Sequence, residues 1–170
     1  MEVNLNKKHP LGFLVKFRCL DLNVAFKNRD VDWFNCDRDF CTYVWKDQNG
    51  LIQYIGMGRY WNLYKYGFDK WSWSRPFNHK NDLLKNTISN DWICEILFMG
   101  CTSKEAHIIE SYLIQLCERS LSKIGQYVWD GVSLINKKRE KKYERMFKEY
   151  LNLDNGNNYW ETLRREINGY

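Results

Sequence analysis

Apolar and polar residues alternate from Phe13 to Arg18, which predicts a strand. Residues 19–38 mix charged and turn-forming positions without a period and read as irregular. Phe40–Lys46 and Leu51–Ile55 are rich in β-formers and flank Asp47-Gln48-Asn49-Gly50. Asn-Gly is the strongest short hairpin signal, so these two runs predict paired strands. Met57–Pro76 changes character and becomes dense in aromatics. Asn78–Ser89 sets Leu83, Leu84 and Ile88 at helical spacing, with Asn78 as the cap. Trp92–Phe98 reads as a buried strand. Thr102-Ser103-Lys104-Glu105 matches a capping box, so a helix starts there with Ala106, Ile109, Leu113, Leu116 and Cys117 as its apolar stripe. Helices are also predicted over Lys137–Leu151 and Trp160–Ile167. The order predicts an α+β fold, a small mixed or antiparallel three-stranded sheet flanked by helices, with an N-terminal extension and a helical C-terminal tail.

Length and composition narrow the class. A chain of 170 residues holds about one domain. A hydrophobic share of 44% and a charged share of 28% exclude wholesale disorder. No apolar run approaches the roughly 18 residues of a membrane span, so no membrane partner is expected. Met1–Pro10 is polar and lacks the apolar centre of a signal peptide. The six cysteines form no C-x-x-C pair, and the three histidines are widely spread, which excludes zinc-finger spacing. Unpaired thiols fit a reducing, cytoplasmic setting. Cys36 and Cys41 read as small buried hydrophobes rather than a redox pair.

Two features point to a polyanionic partner. The chain carries 8 Trp, 11 Tyr and 9 Phe, and its net charge is +5. Residues 137–148 hold seven cations and two anions, so this run carries the whole excess. Positive charge attracts phosphate backbones, and aromatics stack on bases. Cores and solvated helix faces also use such residues.

The hairpin carries the first candidate chemistry. A two-residue loop sets Trp45 opposite Tyr54 and makes Tyr43 and Tyr54 diagonal neighbours on one face, roughly 7 Å apart. A four-residue loop places the two tyrosines directly opposite. A three-residue loop separates them.

Tyr43-Val44, then Tyr54-Ile55-Gly56, resembles the paired signature of the GIY-YIG nuclease family. Thr42-Tyr43-Val44 stands where the first half falls. Further elements follow in the family's order: Gly58, Arg75 and His79 four apart, Glu110 within Ala-His-Ile-Ile-Glu-Ser-Tyr-Leu-Ile, and Leu134-Ile135-Asn136. The resemblance covers about residues 40–137, with an aromatic insertion at 60–74. Residues 1–39 then form an extension, expected as a DNA contact or dimer arm, and 138–170 a basic helical tail.

The resemblance implies a single-metal hydrolysis of a phosphodiester that leaves a 5′-phosphate, with one Mg²⁺ (or Mn²⁺) per active site. It assigns Tyr43 as base, Arg75 to phosphate, Glu110 to the metal, Tyr54 and His79 to orienting water or phosphate, and Asn136 to bracing. Arg59 is the alternative catalytic arginine. Nearby cations favour an ionised phenol, and Mg²⁺ prefers hard oxygen ligands. Lys137, Lys138, Arg139, Lys141 and Lys142, with Arg59, are the expected nucleic-acid contacts. Asn136 also suits a helix cap, and His107 reads as solvent-facing. Compact size favours a restriction-type enzyme on double-stranded DNA, as a homodimer if its site is palindromic. Homing or repair endonucleases of the same fold, and a binding module without catalysis, are the alternatives.

Overall fold

The computed structural model describes residues 5–8, 14–27, 29, 38–59, 91–124, 141–153 and 159–168, with the side chains of 5–8, 117–124, 141 and 168 excepted. The strands are β1 (Leu5–Lys8), β2 (Leu14–Phe17), β3 (Phe40–Lys46), β4 (Ile52–Arg59) and β5 (Ile93–Cys101). The helices are α1 (Leu22–Ala25), α2 (Ser103–Ile124), α3 (Glu144–Tyr150) and α4 (Tyr159–Asn168), with a 3₁₀ turn at Lys141–Tyr143 before α3. The class is α+β, as the pattern predicts.

The strands form one five-stranded mixed sheet in the order β1-β2-β5-β3-β4. β1 and β2 pair antiparallel, β2 and β5 parallel, and β3 runs antiparallel to both β5 and β4. A three-stranded sheet is therefore too small. The two extra strands come from the segment expected as an arm. Val15 and Phe17 bury their side chains while Lys16 between them is half-buried, so the alternation at Phe13–Arg18 reflects a strand inside the sheet.

Two apolar clusters lie on the sheet. One joins Val44, Ile52, Ile55, Leu97 and Phe98 to Ala106, Ile109, Leu113 and Leu116 of α2. Phe147, Leu151, Trp160, Leu163 and Ile167 belong to the same cluster, as do Leu22, Ala25 and Phe26. The described part of the C-terminal tail thus contributes to the core. Backbone bonds reinforce this: Lys27 N donates to Tyr150 O at 2.8 Å and Asn152 N to Ala25 O at 2.8 Å. The second cluster holds Val15, Phe17, Cys41, Tyr43, Trp45, Trp92, Cys94 and Ile96, with Tyr54 and Met99 packed against it.

The capping box forms as expected. Glu105 N donates to Thr102 Oγ1 at 3.1 Å, and Thr102 N donates to Glu105 Oε1 at 3.0 Å. Two orphan donors of α2 are satisfied reciprocally. Cys41, Cys94 and Cys101 are buried; Cys36 lies outside the described residues. None of the described helices is long and apolar enough to cross a membrane.

Candidate active site

The tyrosine pair is set by the turn and one strand irregularity. Gly50 N donates to Asp47 O at 3.0 Å and Asp47 N to Leu51 O at 2.9 Å. Gly50 takes φ +77°, the left-handed conformation open to glycine. The loop is therefore three residues, Gln48 to Gly50, closed by a glycine bulge. By itself this length turns Tyr43 and Tyr54 to opposite faces. The ladder then shifts: Lys46 pairs with Ile52, but Trp45 pairs with Tyr54 and Tyr43 with Gly56. Gln53 is the extra residue of a β-bulge, and it restores the parity. Asp47 holds both devices, since its Oδ1 accepts from Asn49 N and Leu51 N and its Oδ2 from Gln53 Nε2.

Tyr43 and Tyr54 consequently share a face, with ring centroids 6.1 Å apart and planes inclined by 29°. Tyr43 is fully buried, and Tyr54 is half-buried. Gly56 leaves the space beneath them. A Cβ there would lie 2.5 Å from Tyr43 Cζ, 2.6 Å from its Oη and 2.7 Å from Tyr54 Cε1. The glycine of Tyr-Ile-Gly is required by space, because the two phenols close over its Cα.

Glu110 lies on α2, whose apolar stripe packs with Val44 and Ile55, the residues of opposite parity to Tyr43 and Tyr54. It is half-buried on α2, and its carboxylate acts electrostatically on Tyr43. Burial pushes the Tyr43 phenol well above its ordinary value, and Tyr54, Cys94, Cys41 and Glu110 push it the same way. A readily ionised Tyr43 base is at odds with this environment, since desolvation and neighbouring anions both favour the neutral phenol.

Arg59 ends β4 exposed, 3.4 Å from Asp39 Oδ2 and over the Phe40 ring at 5.3 Å. Alternation along β4 sets Arg59 with Ile55 and Met57, opposite in parity to Tyr54 and Gly56. Arg75, His79, Asn136, Lys137, Lys138 and Arg139 lie outside the described residues, as do the aromatic insertion and the helix expected at 78–89. Lys142 is exposed with its ammonium 4.8 Å from the Tyr143 ring centroid. His107 departs from the solvent-facing expectation. It is half-buried and stacks on Tyr143 at 5.1 Å, and its Nδ1 lies 2.7 Å from Ser103 O.

Two charge networks escaped the sequence reading. Arg18 meets Glu95 at 3.0 Å and Glu166 at 2.6 Å, and Lys46 meets Glu95 at 2.9 Å. Glu105 takes Arg29 and Arg38 on its two oxygens, each at 2.8 Å. The capping box flagged Glu105, but nothing local in sequence joins it to arginines 76 and 67 positions away.

Among the described residues no group of three or more His, Cys, Asp or Glu could hold a metal ion. Mg²⁺ keeps several waters and binds through one or two carboxylates. A single half-buried Glu110 matches that donor demand. Compared with family models, with curated proteins and with solved structures, the chain gives no match.

Proposed function

We propose that the chain is a Mg²⁺-dependent endonuclease of the GIY-YIG kind, hydrolysing DNA phosphodiester bonds and cutting both strands at a specific site, as type II restriction enzymes do. One observation carries this reading. Tyr43 and Tyr54 stack on one face, and the carboxylate of Glu110, far off in sequence, acts on the buried phenol. Topology adds support: a β-hairpin, then a third strand pairing with the first strand of that hairpin, then the helix bearing the acid.

The residues divide the work by burial. Tyr43, held neutral, stacks on Tyr54 and fixes its position. The half-buried Tyr54 faces the reacting groups. Glu110 supplies a hard oxygen to one Mg²⁺, which when bound stabilises charge on the departing oxygen. Arg75 and His79 are assigned to the phosphate and Asn136 to bracing, on the resemblance alone.

Incubation with supercoiled plasmid tests the proposal. Cleavage is expected in Mg²⁺ and lost in EDTA, and lost in Glu110→Gln without loss of fold. Cleavage that persists in Glu110→Gln refutes the assignment. The burial of Tyr43 favours one second reading, a module that binds nucleic acid without cutting. It predicts salt-dependent binding and no cleavage under any divalent metal.

A further inference from the structure

A line of cations and aromatic rings crosses three elements and ends one helical turn from Glu110. Lys27 Nζ donates to Lys148 O at 3.0 Å. Lys104 of α2 donates to Tyr150 Oη at 2.9 Å and stands 4.3 Å over that ring. His107, one turn further along α2, stacks on Tyr143, and Lys142 stands over the other end of the pair. Glu110 follows His107 by three positions, so both share a helix face.

The line is electropositive. Lys27, Lys104, Lys142, Arg145 and Lys148 stand against Glu110, Glu144 and Glu149. Glu105, the other acid nearby in sequence, is turned to Arg29 and Arg38. The rings hold ammonium groups in place, which lessens the ordering cost when they meet a phosphate. The orientation of His107 is also fixed. A carbonyl oxygen only accepts, so Nδ1 carries the hydrogen toward Ser103 and Nε2 is the outward nitrogen.

We infer that this face is a contact track for the sugar-phosphate backbone of double-stranded DNA, with Lys104, Lys142 and Lys148 as its phosphate ligands. The inference rests on the nuclease reading for its partner. It deepens that reading, because it extends the binding surface from the expected contacts at 137–142, Lys142 among them, to Lys27, α2 and α3.

The test is fluorescence anisotropy of a labelled duplex with the full chain in EDTA, titrated across salt concentrations. Each phosphate contact contributes about 0.9 to the slope of log affinity against log salt for B-DNA. The triple variant Lys104→Ala, Lys142→Ala, Lys148→Ala is expected to lower the slope by about 2.7 and to raise Kd about five-hundredfold at 0.1 M salt. All three side chains are exposed, and an unchanged thermal midpoint verifies the fold. Arg165→Ala, an exposed cation of α4, is expected to leave the slope unchanged. A slope unaltered in the triple variant overturns the inference, as does an equal effect of Arg165→Ala, which marks bulk charge alone. The two readings fail separately. Plasmid cleavage with an unchanged slope removes the track and keeps the nuclease. A lowered slope in a protein that never cuts removes the nuclease and keeps the track.

Discussion

Replacing Gly56 by alanine tests the geometry of the tyrosine pair most directly. The added methyl sits 2.5 Å from Tyr43 Cζ, 2.6 Å from its Oη and 2.7 Å from Tyr54 Cε1. Carbon atoms pack at roughly 3.5–4.0 Å, so both rings are overlapped by about 1 Å. Tyr43 has nowhere to retreat, since it is enclosed with Cys41, Trp45, Cys94 and Ile96. Overpacking of this kind costs about 1–3 kcal/mol. The loss of glycine's extra freedom in the unfolded chain returns roughly 0.5–1 kcal/mol. The net expectation is about 1–2 kcal/mol, or a thermal midpoint lowered by about 2–8 °C in a chain of this size. Urea denaturation followed by tryptophan fluorescence reads the change.

A double-mutant cycle shows whether Tyr43 is the obstacle. Tyr43→Ala alone costs about 3–5 kcal/mol through the cavity it leaves. In the Tyr43→Ala background the Gly56→Ala methyl meets one ring instead of two. The double variant is therefore expected to fall short of the summed losses by more than about 1 kcal/mol. Additivity within about 0.5 kcal/mol, or a neutral Gly56→Ala, refutes the close approach of the phenols over this residue.

Two further outcomes follow from burial. The folded pKa of Tyr43 is raised above the unfolded value of 10.0, so its contribution is fully present below pH 10 and is lost as pH rises further; alkaline unfolding is expected to begin above that pH, and Tyr43→Phe to make the decline shallower in urea titrations. Glu95 lies between Arg18 and Lys46 with its side chain 3% exposed, so Glu95→Ala, which removes the buried carboxylate shared by both cations, costs about 3–5 kcal/mol; Glu166→Ala, whose side chain is 48% exposed, costs under about 1 kcal/mol by the same denaturation measurement.

Local chemistry was legible in the sequence and long-range pairing was not. The hairpin strands, the capping box of α2, its apolar stripe and the short helix near Trp160 all follow from residues close together in the chain. The extent of the sheet does not. Leu14–Phe17 pairs in parallel with Ile93–Ile96, and no local period encodes a partner so distant. The tail shows the same limit. Its charge density pointed to a phosphate-contacting helix, and the core positions Phe147, Leu151, Trp160, Leu163 and Ile167 emerge only from the folded chain. At the site, Tyr54-Ile55-Gly56 stood out as a motif, but the close approach over Gly56 comes from the folded register. The burial that raises the Tyr43 phenol is a property of the folded chain and leaves no local mark in the sequence.

Deleting Gln53 separates the bulged register from a plain one. Removing a residue from the middle of a core strand normally inverts every side chain beyond it. Here Gln53 is the one residue of β4 without a partner in the ladder, between Lys46–Ile52 and Trp45–Tyr54. Its removal leaves those pairs and their faces in place and forfeits the hydrogen bond to Asp47. The expected loss is about 1–2 kcal/mol, with Tyr54 still beside Tyr43. Deleting Ile55 instead sends Gly56, Met57 and Gly58 to the wrong faces and is expected to abolish folding. Circular dichroism and a urea midpoint for the two deletions decide the matter. If loss of Gln53 unfolds the chain as thoroughly as loss of Ile55, the bulge is not what brings the two phenols onto one face.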